Sequence, residues 1–179
     1  MAVGNSTAVQ LSAPLEAEVV QFFEQLRIPM LRYILSIGLQ MHDAEEVVQE
    51  VFLALFQHLR RGKPKTNLKA WVFRVGHNLA LRQRMRNGRR DRLQCPGEAA
   101  GGLLHPQPDP EEEFAEGQRQ RQLLRAASAL SEVDRCCLYL RAEGLRYREI
   151  ADVLGISLGG VSLSLGRALG RLAQADKER

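Results

Sequence analysis

The chain has few cysteines and no long uncharged apolar run. Three cysteines occur in 179 residues, an odd number, and two of them, Cys136 and Cys137, are adjacent, a spacing that rarely forms a bridge. A disulfide framework is therefore not expected, which points to a reducing compartment. The N-terminal segment shows no basic stretch leading into an apolar one, and no segment contains about 18 consecutive apolar residues without charge. We therefore expect a cytoplasmic protein that is not inserted in a membrane.

Recognisable catalytic and metal-binding motifs are also missing. The histidines show no metal-ligand spacing with cysteine or carboxylate residues; they are His42, His58, His77 and His105. The sequence contains no nucleophile elbow, phosphate-binding glycine loop or zinc-protease motif. An enzyme is therefore not expected, and neither is a cofactor. Cys136 and Cys137 could sense redox state, but neighbouring core positions on a helix favour buried thiols.

Charge is nearly balanced in total but unevenly distributed. Lys plus Arg number 25 against 21 for Asp plus Glu, so the net charge is +4. Arginines crowd the segment RQRMRNGRRDR at residues 82–92, whereas EEEFAE at residues 111–116 is acidic. A basic cluster suits a polyanion such as nucleic acid, although either run is also compatible with an ordinary solvated surface.

Apolar periodicity predicts helices and no convincing strand, so we expect an all-α fold. A stretch rich in glycine and proline, CPGEAAGGLLHPQPDP, divides the chain into two helical parts. The expected organisation is a disordered N-terminal tail at 1–15, a first helical domain at 16–91, a flexible linker at 92–112, a second helical domain at 113–174 and a tail at 175–179.

The first domain is predicted to begin with two helices. One covers Glu16 to Leu39, with Pro29 expected to kink or interrupt it. The next is expected to start at a capping Asp43, with Glu46 three residues on. Its apolar stripe is the clearest in the chain and consists of Ala44, Val47, Val48, Val51, Phe52, Leu55 and Leu59. Its other face carries Glu45, Glu46, Gln49 and Glu50.

A third helix is expected to follow the turn RRGKPKTN, with Asn67 as its cap. The predicted inward residues are Leu68, Val72, Val75 and Leu79. Another face is shared by residues three or four positions apart, namely Trp71, Arg74, Asn78 and Arg82. An aromatic plane beside cations suits single-stranded nucleic acid, because bases stack on the ring and phosphates follow the arginines. A core position for Trp71 is an equally open alternative.

The second domain is predicted to contain a helix-turn-helix. Phe114 to Leu130 reads as a helix, and capping signals follow at Ser131 with Asp134 and at Ser157, with Gly155 ending a short helix between them. The predicted inward residues are Val133, Cys137 and Leu140, then Val161, Leu165, Ala168, Leu169 and Leu172. Two helices joined by a tight glycine-containing turn behind a supporting helix are typical of this motif.

The order of these segments resembles an extracytoplasmic-function sigma factor, a small member of the sigma-70 family of bacterial transcription initiation subunits. DAEEVVQEVFLALFQHL is similar to the helix that docks on the clamp of core RNA polymerase. LKAWVFRVGHNLALRQRMRNGRR is similar to the promoter-melting helix, and ALSEVDRCCLYLRAEGLRYREIADVLGIS to the upstream-element-binding domain. The resemblance implies a region 2 helical bundle and a region 4 helix-turn-helix that together direct the polymerase to promoters.

Carried over residue by residue, the resemblance assigns three binding surfaces. Contacts to core RNA polymerase would come from Asp43, Glu46, Gln49 and Glu50. Contacts to minus-ten DNA would come from Lys63, Lys65, Thr66, Asn67, Trp71, Arg74, Asn78, Arg82 and Arg86, with the loop 63–67 capturing a flipped base. Contacts to minus-thirty-five DNA would come from Tyr147, Ser157, Gly160, Ser162, Leu163, Ser164, Arg167 and Arg171. An anti-sigma protein is a further partner that the family implies.

Two features depart from the family pattern. Arg82 stands where the family usually has an acidic residue. Gly160, Ser162 and Ser164 stand where it commonly has a threonine, then lysine and arginine. The exposed side of the last helix is therefore expected to be small and smooth, and to bind DNA with modest affinity of its own.

Two other hypotheses remain open from the sequence. One is an autonomous helix-turn-helix regulator, in which residues 1–90 form a sensing domain and the protein alone binds duplex DNA tightly. The other is a protein-only adaptor that binds the polymerase or another regulator, whose activity would not need Arg74, Arg82 and Arg167.

Overall fold

A computed structural model describes residues 6–93, 123 and 125–177, with side chains described for 15–89, 123 and 125–177. The helices with defined bounds are α1 (Ser6–Ser36), α2 (Met41–Arg60), α3 (Leu68–Leu93), α4 (Glu132–Ala142), α5 (Tyr147–Leu154) and α6 (Leu158–Lys177). Residues 125–128 are also helical, and the described residues contain no strand, so the all-α prediction is confirmed. The chain divides into two compact units, Met1–Gly97 (unit 1) and Glu98–Arg179 (unit 2).

Several predicted features lie outside the described residues. They are Cys95, the acidic block 111–116, nearly all of the linker 92–112 and most of the helix expected from Phe114 to Leu130.

The first helix, α1, corrects two predictions about the N-terminal segment. It begins at Ser6, inside the predicted tail, and it continues through Pro29 without a break. A proline in a helix interior removes one backbone hydrogen bond and costs about 3 kcal/mol. Apolar packing on both sides of the proline holds the helix together; the buried residues there are Leu26, Met30, Tyr33 and Ile34.

The second helix, α2, has the predicted apolar stripe in full. Its buried residues are Ala44, Val47, Val48, Val51, Phe52, Leu55 and Leu59. Its predicted start is wrong, because the helix begins at Met41 with Gln40 as N-cap and Asp43 lies in the first turn. The Asp43 carboxylate instead accepts hydrogen bonds from α3, from Gln83 Nε2 at 3.0 Å and from Asn87 Nδ2 at 2.8 Å.

The third helix, α3, completes the core of unit 1. Its buried apolar residues include Leu68, Val72, Phe73 and Leu79, whereas Val75 is only half-buried. Gly76 permits close contact with α1, since a Cβ there would lie 2.6 Å from the Met30 sulfur. Deeper in the interior, Tyr33 Oη and His77 Nδ1 form a hydrogen bond of 2.9 Å. The opposite side of α3 is exposed to solvent.

Unit 2 contains the predicted helix-turn-helix. The chain direction changes by 102° between α5 and α6, and Gly155 at their junction has a left-handed φ of 66°. Ser131 Oγ accepts from the Asp134 N–H at 3.2 Å and Ser157 Oγ accepts from the Gly160 N–H at 3.1 Å, so both predicted caps are confirmed. The apolar interior consists mainly of Cys136, Cys137, Leu140, Leu145, Ile150, Val153, Val161, Leu165 and Ala168.

Three details of unit 2 differ from the prediction. Val133 is 43% exposed and Leu169 is 57% exposed, because their neighbours Asp134 and Ala168 take the inward positions. The last helix also continues to Lys177, beyond the predicted domain end. Among the described helices none alone is long and apolar enough to cross a bilayer, and only α5 and α6 taken together across their bend reach that length and hydropathy.

Candidate functional site

The exposed face of α2 is mainly acidic and carries two large apolar side chains, Met41 and Leu53. Its exposed residues include Glu45, Glu46, Gln49 and Glu50. Glu46 Oε1 lies 3.2 Å from His42 Nε2, and both side chains are so exposed that the pair adds little stability. Asp43, predicted to belong to this surface, is half-buried and its two carboxylate oxygens bind α3. The surface that remains is suited to a protein partner with basic groups.

The loop between α2 and α3 has a defined backbone although its side chains are exposed. Residues 60–67 are all exposed. Left-handed backbone occurs at Gly62, with a φ of 65°, and at Asn67, with a φ of 55°. Asn67 also occupies the predicted cap position, because its carbonyl accepts from the Trp71 N–H at 3.0 Å. The side chains of Lys63, Lys65 and Thr66 are thus presented to solvent from a turn with a specific shape.

Two side chains from the helices hold this loop. The His58 Nε2–H donates to the Pro64 carbonyl at 3.1 Å. The Lys65 ammonium forms an ion pair with Glu18 of α1. The ring of His58 also packs on that of Trp71, with centroids 4.5 Å apart. The loop is therefore connected to all three helices of unit 1.

The outer face of α3 forms a basic stripe that begins at this loop. Its exposed members are Arg74, Asn78, Arg82 and Arg86. Residues four positions apart on a helix are offset by about 40°, so the stripe winds gradually around α3. Trp71 is half-buried at the start of the stripe, intermediate between a core residue and a free stacking surface. From residue 68 to residue 90 the sequence contains no acidic residue, so the stripe is suited to a phosphate backbone.

Sequence reasoning missed the two side chains that hold the loop. In the sequence, His58 is a histidine without metal-ligand spacing and Glu18 is one residue of a predicted helix. Their partners lie 6 and 47 residues away in the chain. Helical periodicity carries no signal for such contacts, because they depend on how the helices pack.

The exposed side of α6 from Leu158 to Gly166 is small or apolar, as predicted for the last helix, whereas α5 exposes Tyr147, Arg148 and Asp152. Tyr147 is 42% exposed and Leu163 is 66% exposed, while Ser157 and Ser162 are also exposed. Gly160 is partly covered, and its N–H is bound to the Ser157 hydroxyl. The exposed side of α6 permits close approach of a partner but offers few charges.

Arg167, predicted to contact DNA, binds inside unit 2. Its guanidinium donates to both carboxylate oxygens of Asp134, from Nη2 at 2.6 Å and from Nε at 3.2 Å, and to Ser164 Oγ at 3.1 Å. Ser164, also expected to contact minus-thirty-five DNA, is only 2% exposed and therefore faces the interior of unit 2. Arg171 likewise donates from Nη1 to the Ala129 carbonyl at 2.9 Å. Both arginines of the last helix therefore connect it to the chain around α4.

The electrostatics of this cluster follow from burial and pairing. The hydrogen bond from Arg167 is the main reason that the pKa of Asp134 falls from 3.8 to about 2, against the opposing effect of burial. Burial raises the pKa of the Cys137 thiol, while a hydrogen bond with Ser164 acts in the opposite direction. Cys136 and Cys137 are both buried and neither is in a disulfide, which agrees with the prediction of core thiols.

Comparison with known proteins places both units in one family. The family model for Sigma-70 region 2 matches residues 22–90, and that for Sigma-70, region 4 matches residues 120–172. Two solved structures share the fold. The sigma factor RpoE from Bartonella quintana, in complex with the anti-sigma factor NepR, has a TM-score of 0.65 at 21% identity, covering 89% of this chain and 99% of that one. CnrH in complex with the cytosolic domain of CnrY has a TM-score of 0.57 at 23% identity, covering 92% of this chain and 91% of that one.

Curated relatives extend the likeness over most of the sequence. RNA polymerase sigma factor CnrH of Cupriavidus metallidurans is 33% identical over 156 residues, which is 80% of each chain. The extracytoplasmic-function (ECF) sigma factor SigE of Mycolicibacterium smegmatis is 32% identical over 93% of this chain, which spans 63% of that longer protein. With matching models in both units and these relatives, the chain belongs to the ECF sigma factors of the sigma-70 family and functions as an RNA polymerase sigma factor in transcription initiation.

Proposed function

We propose that this sigma factor binds its partners through three separate surfaces. The acidic face of α2 binds core RNA polymerase, the loop 63–67 with the basic stripe of α3 binds the melted minus-ten strand, and unit 2 docks on the minus-thirty-five element. The observation that carries the proposal is the continuity of the loop with the stripe. His58 connects Pro64 to Trp71, and Arg74 and Asn78 follow along the exposed face.

The minus-ten assignment follows from the chemistry of this surface. Capture of an unpaired base needs a pocket and a stacking partner, and we assign these roles to the exposed turn and to the half-buried Trp71 beside it. The phosphates that follow the captured base need cations along their path. Arg74, Arg82 and Arg86 provide them on a face without carboxylates.

The polymerase contact is assigned to the residues of the acidic face that remain exposed. Glu46, Gln49 and Glu50 support it, whereas Asp43 is engaged by α3 and serves within unit 1. The exposed Leu53 adds apolar area at the same face. Mixed acidic and apolar contacts of this kind steer association and then add affinity through burial.

The minus-thirty-five contact is assigned to the outer side of the helix-turn-helix. The residues proposed are Tyr147, Ser157, Gly160, Ser162 and Leu163. Arg167 and Arg171 contribute by fixing the position of α6, and Ser164 is excluded by its burial. The small surface favours close approach to the backbone and apolar contact with thymine methyl groups.

The proposal also includes an anti-sigma partner and a location in the cytoplasm. The solved structures of RpoE and CnrH were determined with NepR and CnrY respectively, which supports an anti-sigma protein as a partner of this chain too. We place the protein in the cytoplasm with the polymerase, acting through binding and without catalysis of its own.

Run-off transcription with purified core polymerase tests the proposal. The double variant Glu46→Lys and Glu50→Lys is expected to lose core binding and the promoter-specific product together. Glu24→Lys is the matched control, because Glu24 is an exposed acidic residue of α1 outside the proposed surfaces. A double variant that binds core polymerase as the wild type does would contradict the assignment of α2.

A further inference from the structure

His58 lies where the loop 63–67, α2 and the start of α3 meet. Its Nε2–H donates to the Pro64 carbonyl at 3.1 Å, and its own carbonyl accepts from the Lys63 N–H at 3.3 Å. Its ring packs on Trp71 with 4.5 Å between centroids and planes inclined by 41°. One half-buried side chain therefore contacts both the backbone of the loop and the aromatic ring beside it.

We propose that His58 is a positioning residue for base capture. It holds the carbonyl of Pro64, and with it the exposed loop, at a fixed place relative to the Trp71 ring, so that loop and ring form one preorganised wall for an unpaired base. The inference rests on the proposed function of this loop, and it adds the residue that sets the shape of the binding site.

The physical argument is preorganisation. The loop residues are exposed, so the interior of unit 1 does not hold them by burial. A loop that must first be ordered by DNA loses affinity, because the conformational entropy is then lost on binding. The hydrogen bond from His58 fixes the middle of the loop, while the ion pair between Lys65 and Glu18 fixes it on the side of α1.

Two variants separate the two contacts of His58. In His58→Gln the side-chain amide can still donate to the Pro64 carbonyl but the aromatic contact with Trp71 is lost. In His58→Phe the ring contact is kept and the donor is lost. His58→Ala removes both, and Gln57→Ala is the matched control, since Gln57 is the exposed neighbour on the same turn of α2.

The experiment uses holoenzyme assembled from the full chain and core RNA polymerase. The probe is a pool of fork-junction DNA whose unpaired non-template strand is randomised, from which bound molecules are selected and sequenced. We expect His58→Ala to reduce base enrichment about two- to tenfold at the captured position alone, as loss of one hydrogen bond implies. His58→Gln should recover part of that enrichment, and Gln57→Ala should match the wild type.

The outcomes separate this inference from the function on which it rests. Enrichment in His58→Ala equal to the wild type at every unpaired position would overturn the role of His58 while leaving base capture intact. Wild-type holoenzyme that enriches no unpaired base would overturn base capture itself. The emission of Trp71, the one tryptophan of the chain, provides a second readout, and we expect a red shift in His58→Ala as water reaches the ring.

Discussion

At the scale of single residues, the pair formed by Asp134 and Arg167 shows how a side chain expected at the DNA can belong to the framework. The Asp134 side chain is 4% exposed and that of Arg167 is 56% exposed. A buried carboxylate that loses its cation is strongly destabilising, whereas an exposed arginine that loses its carboxylate can be hydrated. Removal of Arg167 should therefore destabilise unit 2 more than removal of Asp134, because it would leave the Asp134 carboxylate buried and unpaired.

The pair predicts a specific pH dependence. The pKa of Asp134 is lowered in the folded chain from 3.8 to about 2, so its stabilising contribution is present above about pH 4 and is lost as pH falls through about 2. We expect Asp134→Asn to lower the free energy of unfolding by about 1–2 kcal/mol near neutral pH, after allowance for the screening of the exposed arginine. The difference from the wild type should shrink as pH approaches 2.

Denaturation by urea, followed by circular dichroism, measures this difference. Trp71 lies in unit 1, so its fluorescence reports the unfolding of that unit and serves as the internal control. A deficit of the variant that stays constant from neutral pH down to about pH 2 would show that the carboxylate charge is not the cause.

Residue-scale features were predictable where partners are close in sequence. The caps at Ser131 and Ser157 each join residues three positions apart, so local pattern was sufficient to predict them. Asp134 and Arg167 are 33 residues apart, and no periodicity connects them. An arginine on the outer side of a predicted reading helix was therefore assigned to DNA, although its partner lies on the supporting helix.

At the scale of elements, α6 contains glycines at positions where the packing of unit 2 leaves room for a side chain. A Cβ at Gly166 or at Gly170 would meet no atom within 4 Å. Each interior glycine costs about 1 kcal/mol relative to alanine. We therefore expect Gly166→Ala and Gly170→Ala each to raise the stability of unit 2 by up to about 1 kcal/mol, measured by thermal unfolding.

Gly155→Ala is the matched control for the two helix variants. It also has open space around its Cβ position, but its φ of 66° is left-handed, so alanine there is strained. We expect this variant to be destabilised by about 1 kcal/mol. If all three variants were stabilised alike, backbone conformation would not explain the glycine at the turn.

The basic stripe of α3 predicts a salt dependence. Each arginine that contacts a single-stranded phosphate adds about 0.7 to the slope of log affinity against log salt concentration. Arg74→Ala, Arg82→Ala and Arg86→Ala in holoenzyme should each reduce the slope for fork-junction DNA by about that amount. Arg32→Ala, an exposed arginine of α1, should leave the slope unchanged. An unchanged slope in all three stripe variants would place the phosphates elsewhere.

The inward face of a helix is predictable from the sequence where its apolar residues recur regularly. The stripe of α2 extends over about four turns, and every predicted member is buried. The path of α1 through Pro29 was not predictable, because the local rule that proline breaks a helix competes with burial of Met30 against α3, which only the tertiary structure shows. The prediction that Leu169 faces inward is wrong for a related reason. It depends on tertiary packing, and α4 and α5 cover only part of the apolar side of α6.

At the scale of the whole molecule, affinity must come from several weak surfaces used together. The two arginines of α6 are engaged within unit 2, so we expect the full chain alone to bind duplex promoter DNA weakly. Holoenzyme should bind at least about a hundredfold more tightly, because the second contact becomes intramolecular once polymerase and minus-ten DNA are engaged. Fluorescence anisotropy with labelled duplex at one fixed salt concentration compares the two. Equal affinities would favour an autonomous DNA-binding regulator, whereas the expected gap would mean that promoter selection depends on the polymerase bringing both units to the same DNA.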